Sequence, residues 1–208
     1  MTRTEAPDTP SEAPVGQPSC LIIGAGGHGK VCLNVFRLQF PEFGLGVVDR
    51  VPPSGAFADL PYCGPDERLS LLASVGWQGF VLGLGLAAGQ TRRADLFGQA
   101  CKAGLRPQSI QHPSAIVADG ARIGAGCQIM AQAVVQPDSR FGDNVVVNSA
   151  AIIEHDVVLG HHAFVSPGAC VLGGAKIGEG ALIGAGAVVL PGAVVPAGSL
   201  VKAGEVHG

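Results

Sequence analysis

The candidate chemistry of this sequence is concentrated at His155 and Asp156. Three of the six histidines, at positions 155, 161 and 162, fall within eight residues. An imidazole has an ordinary pKa of about 6.5, so it can accept a proton at neutral pH. A neighbouring carboxylate can fix its tautomer and raise its basicity. His155 next to Asp156 therefore suits a general base, provided that both residues lie on a rigid turn where adjacent side chains can face each other.

A six-residue repeat predicts the element that would hold this pair. From residue 117 every sixth residue is aliphatic or Phe: Val117, Ile123, Ile129, Val135, Phe141, Val147, Ile153, Leu159, Val165, Val171, Ile177, Ile183, Val189, Val195 and Val201. A small or compact side chain follows four residues after each of the first fourteen. Hexapeptide periodicity of this kind is typical of a parallel β-helix.

A second period predicts the cross-section of the β-helix. Gly124, Gly142, Gly160 and Gly178 recur at every third hexad, so three hexads make one coil and the coil is a triangular prism. Fifteen hexads predict five coils and a height of about 24 Å. Residues that are three hexads apart stack in this arrangement, which places Gly173 one coil above His155. The backbone N–H of Gly173 is then a candidate donor to the oxyanion of a carbonyl group held near His155.

The turns of the repeat mark the same region. Gly stands three residues after the aliphatic residue in nine of the fifteen hexads, and six consecutive hexads lack it: Gln132, Asp138, Asn144, Ala150, Asp156 and His162. Asn, Asp and His tolerate a left-handed backbone better than most residues, which explains part of this set. Backbone tolerance does not explain His155, because this residue precedes the turn position. We therefore place the chemistry in the stretch from Gln132 to His162.

The first half of the chain has a different pattern. Residues 1–18 are polar and rich in proline, and we predict a disordered arm. Residues 19–111 alternate between strands (20–23, 45–48 and 79–84) and helices (from the end of the glycine motif at residue 29 to about residue 40, then 66–75 and 92–103). This alternation predicts an α/β domain with a small parallel sheet. We expect Val31, Val35 and Leu38 on one face of the first helix, Asp66 as an N-cap and Gly104 as a C-cap. The β-helix then occupies residues 112–208.

Composition and charge exclude several classes of protein. Gly and Pro are frequent (32 and 15 of 208 residues), but 47% of residues are hydrophobic, which favours a packed fold over disorder. The 13 Lys and Arg residues form no cluster and the net charge is −3, so a nucleic-acid partner is not expected. We expect no membrane span and no secretory signal. Six scattered cysteines without a CxxC motif favour a reduced, cytoplasmic protein.

Three motifs add a family resemblance to the hexads. GAGGHGKV at 24–31, HPSA at 112–115 and NSAAIIEHDVVLG at 148–160 resemble the hexapeptide-repeat nucleotide-sugar N-acetyltransferases of bacterial glycan synthesis, relatives of the sialic acid O-acetyltransferase-like proteins. The resemblance covers residues 19 to about 203. It implies a Rossmann-like N-terminal domain, a left-handed β-helix, and a homotrimer with active sites between subunits. It also implies acetyl-CoA as co-substrate, a UDP- or GDP-linked 4-amino sugar as acceptor, and no metal.

The resemblance assigns roles to individual residues. His155 is the base that takes a proton from the sugar amine, Asp156 raises its basicity, and Gly173 N–H stabilises the oxyanion. The residues matched to the nucleotide sugar are Gly26, Gly27, His28, Asp49, Arg50, Asn148 and Glu154, and those matched to CoA are Phe164, Gly173 and Ala185. Phe164 stands where many relatives have a second His, and the final VKAGEVHG differs from the usual closing motif.

Other functions fit parts of the sequence. Gly24-x-Gly26-x-x-Gly29 followed by Asp49 is formally a dinucleotide fingerprint, although nothing for hydride transfer follows it. His155, His161 and His162 could hold zinc, as in a β-helix enzyme of the carbonic-anhydrase-like type. A trimeric scaffold or nucleotide-sugar sensor without catalysis is a third class. Within the enzymes, O-acetylation of a sugar or serine is the nearest alternative, since the base chemistry is the same.

Overall fold

A computed structural model describes residues 11–85 and 91–208, which divide into an α/β unit and a β-solenoid unit. The α/β unit holds residues 11–85 together with Asp95–Gln108, and the solenoid unit holds residues 91–94 together with Ser109–Gly208. The predicted boundary lay after residue 111. In the structure the strand Ile110–Gln111 pairs with Gln128–Ile129 of the solenoid, so the chain enters the solenoid a few residues earlier.

The α/β unit is built on a four-stranded sheet with the order β2-β1-β3-β4, in which every pair is parallel. Its strands are β1 (Ser19–Ile23), β2 (Gly44–Val48), β3 (Gly79–Leu82) and β4 (Arg106–Pro107), and its helices are α1 (Gly27–Gln39), α2 (Leu69–Ser74) and most of α3 (Arg92–Lys102). The first turn of α3, up to Ala94, belongs to the solenoid unit. Two short 3-10 helices span Gly55–Phe57 and Asp66–Arg68. The strands β1 to β3 are buried along their whole length, as in sheets covered on both faces. The predicted small parallel sheet is confirmed.

Two local predictions in this unit are wrong. Val31 and Leu38 of α1 are exposed, and the residues that pack inward are Gly29, Cys32, Leu33, Val35 and Phe36, at the spacing of three and four residues that one helix face requires. Asp66 does not cap a helix. It begins a 3-10 helix whose N-cap position is Pro65, and no side chain there bonds to the helix.

The segment that precedes β1 belongs to the α/β unit. The indole Nε1–H of Trp77 donates to the carbonyl oxygen of Ser11 at 2.8 Å, and Ala13 packs against the apolar core of this unit. The predicted disordered arm spanned residues 1–18. Residues 1–10 lie outside the described residues, whereas this segment is held by the indole of Trp77 and by apolar contacts.

The second unit is a β-solenoid of about five turns. Within Ser109–Gly208, sixteen two-residue strands, β5 to β20, form three parallel sheets, and each strand pairs with the strand three hexads further on. Sheet I contains β6 (Ile116–Val117), β8 (Val134–Val135), β11 (Ile152–Ile153), β14 (Cys170–Val171), β17 (Val188–Val189) and β20 (Val206–His207). Sheet II contains β9 (Arg140–Phe141), β12 (Val158–Leu159), β15 (Lys176–Ile177) and β18 (Val194–Val195). Sheet III contains β5 (Ile110–Gln111), β7 (Gln128–Ile129), β10 (Val146–Val147), β13 (Phe164–Val165), β16 (Leu182–Ile183) and β19 (Leu200–Val201).

Three corners join these sheets, and we number them in chain order. Corner 1 follows sheet I (118–120, 136–138, 154–156, 172–174 and 190–192). Corner 2 follows sheet II (124–126, 142–144, 160–162, 178–180 and 196–198). Corner 3 follows sheet III (130–132, 148–150, 166–168, 184–186 and 202–204). The second residue of each strand faces the core, and from Ile129 to Val201 these residues are at most 7% exposed. The predicted prism with three hexads per coil is confirmed.

The glycine patterns have two separate steric causes. At corner 2 a Cβ added to Gly142 would lie 2.6 Å from the backbone nitrogen of His161 in the next coil, so the recurrence of glycine at every third hexad reflects contact between stacked coils. The turn position instead requires a positive φ. The nine turn glycines and all six exceptions lie in the left-handed region, the exceptions with φ between +56° and +61°. The predicted turn position is therefore confirmed at every hexad.

Candidate active site

The imidazole of His155 stands at corner 1, directly after β11. Its Nδ1 lies 2.8 Å from Oδ2 of Asp156, and both side chains are about two-thirds exposed. Asp156 is the turn residue of this hexad, with φ +60°. The adjoining coils fix the backbone of the pair, because Asp156 N–H donates to the Pro137 carbonyl below and Gly174 N–H donates to the His155 carbonyl above. This is the rigid turn that general-base chemistry requires.

The carboxylate sets both the basicity and the tautomer of His155. The hydrogen bond to Asp156 is the largest cause of a raised pKa for His155, and the charges of Asp156 and Glu154 act in the same direction. Since an ionised carboxylate only accepts hydrogen bonds, Nδ1 carries the proton. The lone pair of the neutral imidazole is therefore at Nε2, and this nitrogen is the one available to a substrate.

The Nε2 atom faces the backbone of Gly173. A Cβ added to Gly173 would lie 2.7 Å from Nε2 and 2.8 Å from Cε1 of His155, so the predicted stacking of these residues is confirmed. Among the residues that the structure describes, none accepts a hydrogen bond from Gly173 N–H, whereas Gly174 N–H is bonded to the His155 carbonyl. The proton-accepting nitrogen and an amide donor thus lie on neighbouring coils of one corner.

The sequence contains a further signal for Gly173. The middle residues of the corner turns recur at every sixth position from Pro113 to Ala203. Gly173 is the only glycine among these sixteen residues. Ala, Pro, Asp, Ser, His and Glu fill the other positions, so the backbone does not require glycine there. The glycine is explained by the imidazole below it.

The other predicted residues of the solenoid are spread over the prism. Glu154 is half-buried beside His155, and its carbonyl accepts a hydrogen bond from the Ser139 hydroxyl at 2.9 Å. Asn148 and Ala185 lie at corner 3, where the Asn148 side-chain oxygen accepts the Ser149 N–H at 2.8 Å. Phe164 is on sheet III and only 5% exposed, which leaves little of its ring for pantetheine. His155 is at corner 1, between sheets I and II, so corner 3 and sheet III of the same chain lie away from it.

The glycine motif of residues 24–29 covers the loop between β1 and α1 and the start of α1. Gly24 has φ +100°, and a Cβ on Gly29 would collide with the Gly24 carbonyl, so these glycines shape the loop. Gly26 and Gly27 have open space beside them. Backbone N–H groups at such a helix start favour phosphate. The half-buried His28 follows as the second residue of α1.

Asp49 holds this loop in place. Its Oδ2 accepts the Ala25 N–H at 2.6 Å and its Oδ1 accepts the N–H of the exposed Arg50 at 2.6 Å. Sequence reasoning missed Tyr62, whose hydroxyl donates to the Asp49 carbonyl at 3.0 Å. A bridge between Val47 and Tyr62 brings residues 61–64 alongside β2. The two partners are well separated in the chain and no periodic pattern links them, so nothing in the local sequence indicates this contact.

The histidines considered for zinc are on two different corners. His155 is at corner 1, whereas His161 and His162 are at corner 2. Among residues 11–85 and 91–208, no group of three or more His, Cys, Asp or Glu side chains is placed to hold a metal ion. Over the same residues, none of the helices combines the length and the apolar character needed to cross a membrane.

Comparisons with known proteins agree with this architecture. No protein-family model and no curated protein sequence matches the chain. Among solved structures, PerB from Caulobacter crescentus in complex with CoA and GDP-perosamine is 31% identical, with 94% of this chain and 90% of that chain covered and a TM-score of 0.84. The acetyltransferase domain of PglB from Neisseria gonorrhoeae is 32% identical, with 90% of each chain covered and a TM-score of 0.82. WeeI from Acinetobacter baumannii, at 21% identity and a TM-score of 0.60, shares the fold.

These likenesses extend over nearly the whole chain and include both units. Matches of this strength place the fold in the class of left-handed β-helix acetyltransferases. The chain belongs to the hexapeptide-repeat family of nucleotide-sugar N-acetyltransferases.

Proposed function

We propose that this protein transfers the acetyl group of acetyl-CoA to the amino group of a nucleotide-linked amino sugar, in bacterial glycan synthesis. The observation that carries the proposal is the orientation of His155, whose Nδ1 is held by Asp156 while Nε2 faces Gly173. The relatives agree with this chemistry. PerB was crystallised with CoA and GDP-perosamine, and the PglB domain was also crystallised with acetyl coenzyme A.

The reaction is a direct acyl transfer with His155 as general base. The sugar nitrogen attacks the thioester carbon, and Nε2 of His155 takes the proton that the nitrogen loses. The C–S bond then breaks and CoA leaves as the thiolate, which takes the proton from Nε2 of His155; this gives the CoA thiol and restores the neutral imidazole. Asp156 stabilises the imidazolium that forms, because its carboxylate accepts the Nδ1–H throughout.

Gly173 serves the same step in two ways. Without a side chain it leaves Nε2 of His155 accessible, and its N–H is the amide that we assign to the oxyanion of the attacked carbonyl. The amide belongs to the coil above His155 and is fixed there by the bond from Gly192 N–H to the Gly173 carbonyl. A donor already in position costs no reorganisation when the negative charge develops.

We assign acceptor binding to the α/β unit, as a Rossmann-like nucleotide-sugar domain. Gly26, Gly27 and His28 lie at the start of α1, where backbone N–H groups suit a diphosphate. Asp49 and Arg50 follow β2 and face the nucleoside. The bond from Asp49 to Ala25 N–H means that the same carboxylate also holds the loop in shape. Near the sugar we place Asn148 and Glu154.

The assembly that we propose is a homotrimer with acetyl-CoA between subunits. The first residues of the sheet I strands face outward and are all apolar: Ile116, Val134, Ile152, Cys170, Val188 and Val206. Of these, Ile116 and Val206 are about two-thirds exposed in the single chain. An exposed apolar column of this kind favours burial against another copy. A second copy would also bring corner 3, with Ala185, and the neighbourhood of Phe164 to the corner that holds His155.

A thiol-release assay with acetyl-CoA tests the function. The acceptors are UDP-, GDP-, dTDP- and CMP-linked amino sugars, each with its hydroxyl counterpart. We expect turnover with an amino sugar and loss of turnover in His155→Asn, whose melting temperature should equal that of the wild type. Turnover with the hydroxyl counterparts alone would make the enzyme an O-acetyltransferase. Binding of a nucleotide sugar without turnover on any acceptor would favour a sensor.

A further inference from the structure

A chain of polar side chains, buried at Arg93 and Asn144 and half-buried at His162, joins the first turn of α3 to corner 2 of the solenoid. Arg93 is 2% exposed and Asn144 is fully buried. Nη2 of Arg93 donates to Oδ1 of Asn144 at 2.8 Å, and Nδ2 of Asn144 lies 2.9 Å from Nδ1 of His162. The three residues belong to the same unit, although 51 residues of sequence separate Arg93 from Asn144.

The direction of every hydrogen bond in this chain is fixed by Arg93. A guanidinium only donates, so the side-chain oxygen of Asn144 must face it. The amide nitrogen of Asn144 then faces His162 and donates, which makes Nδ1 of His162 the acceptor and places its proton on Nε2. Exchanging the amide oxygen and nitrogen of Asn144 would bring two donors together at Arg93. The chain is therefore satisfied in one protonation state of His162, the neutral one.

We propose that Arg93, Asn144 and His162 form an acid-sensitive latch, which fastens the first turn of α3 to the solenoid and opens when His162 is protonated. A proton on Nδ1 would place two donors face to face, the Nδ1–H of His162 and the Nδ2–H of Asn144. It would also add a second positive charge to a chain that already contains the buried Arg93 guanidinium. A buried donor without an acceptor is destabilising, so protonation of His162 weakens the latch, whereas the neutral imidazole satisfies it.

The groups around His162 have opposing effects on its pKa. Burial is the largest effect and lowers its pKa, and the charges of His161 and Arg93 also lower it. Glu179 and Asp143 act to raise it, and the net pKa lies below the ordinary 6.5. The unfolded chain therefore binds the proton more readily. The stability that the latch contributes is complete above about pH 6.5 and is lost as the pH falls through the ordinary pKa towards the folded one.

The latch is distinct from the base at corner 1. His155 has a raised pKa and a carboxylate partner, whereas His162 has a lowered pKa and an amide partner. Titration of the two residues can therefore be told apart. Opening of the latch is measured without substrate, so its test does not depend on the proposed acetyl transfer.

The experiment is a pH titration of protein labelled with ¹⁵N in its histidine rings. The His162 signals are assigned by their loss in His162→Gln. In the wild type we expect the neutral ring to carry its proton on Nε2 and to titrate below pH 6.5. In Asn144→Asp the new carboxylate accepts from both Arg93 and a protonated Nδ1, so the pKa of His162 should move above 6.5. Gln132→Glu is the matched control, since it adds the same charge at a left-handed turn residue of corner 3 and should leave His162 unchanged.

Three results would overturn the latch. They are a wild-type His162 with its proton on Nδ1, a wild-type pKa at or above 6.5, or an Asn144→Asp variant in which the pKa does not rise. If Asn144→Asp does not fold, the first two measurements on the wild type still decide. Hydrogen exchange adds a readout of opening. In the wild type, the amides of residues 91–94 and of corner 2 should lose protection as the pH falls below 6.5, after correction for intrinsic exchange rates.

Discussion

Replacing Gly173 with alanine tests the placement of the base most directly. Alanine already occupies the equivalent turn position at Ala125, Ala131, Ala185, Ala197 and Ala203, so the solenoid backbone accepts it. The added methyl would differ from those five only in what lies below it. Its carbon would be 2.7 Å from Nε2 and 2.8 Å from Cε1 of His155. The substitution therefore adds a single carbon atom with its hydrogens beside the imidazole and keeps the backbone N–H of residue 173.

The size of the effect follows from these distances. An ordinary contact to a Cβ begins at 3.4 Å, so the imidazole must retreat by about 0.7 Å, the difference between 3.4 and 2.7. That movement tilts the ring away from both the substrate and Asp156. A misplacement on the order of 1 Å can cost about 100-fold in rate, and loss of a general base costs about 10²–10⁴-fold. We expect kcat to fall by about 30- to 100-fold, with Tm unchanged within about 3 °C.

The assay is steady-state thiol release together with thermal unfolding followed by circular dichroism. The control is a double variant, Gly173→Ala with His155→Asn. If the methyl acts only through the imidazole, the double variant is no slower than His155→Asn alone, because residues that act as a unit are not additive. A kcat within about threefold of the wild type, or losses that simply multiply in the double variant, would refute the assignment of His155 as the base that faces Gly173.

Three further predictions follow from the solenoid. The kcat of the wild type should rise with pH as His155 loses its proton, at a pH set by its raised pKa. Asp156→Asn should move this rise to lower pH and reduce the maximal kcat at least about 10-fold. A rise at an unchanged pH would contradict the role of Asp156. Ala150→Gly should stabilise the fold by about 0.5–1 kcal/mol in denaturant unfolding, because Ala150 has φ +56°, a left-handed conformation that strains alanine and not glycine. A destabilised variant would contradict this. On sheet I, Ile152→Glu should weaken self-association in sedimentation, and the equally exposed Val158→Glu on sheet II should not; equal effects of both would reject sheet I as the interface.

Much of the solenoid could be predicted because its constraints are local and repeated. Each inward aliphatic and each left-handed turn recurs with every hexad, so a single hexad such as that of Val171 is supported by all the others. The placement of Gly173 above His155 followed from the coil of three hexads alone. The pattern itself, however, says nothing about where Nε2 points, since that depends on the Asp156 hydrogen bond.

The remaining features depend on contacts without a sequence period. The buried face of α1 was mispredicted because its apolar residues cover a wide arc of the helix, and only the packing shows that Cys32 and Phe36 lie at the centre of the inward face. The pairing of Arg93 with Asn144 joins residues 51 positions apart, and neither position differs locally from an exposed one. The contact of Ser11 with Trp77 is of the same kind, since a backbone carbonyl leaves no trace in the sequence.

The indole of Trp77 provides a natural fluorescent reporter in the α/β unit. The chain contains one tryptophan and one tyrosine, and both lie in the α/β unit. Ultraviolet fluorescence therefore reports on that unit alone, while the solenoid, whose only aromatic side chains are phenylalanine and histidine, does not contribute at those wavelengths. Emission therefore follows the α/β unit, whereas far-ultraviolet dichroism of the same sample follows the backbone of both units. A difference between the two melting curves would reveal how far the units unfold independently, without any added label.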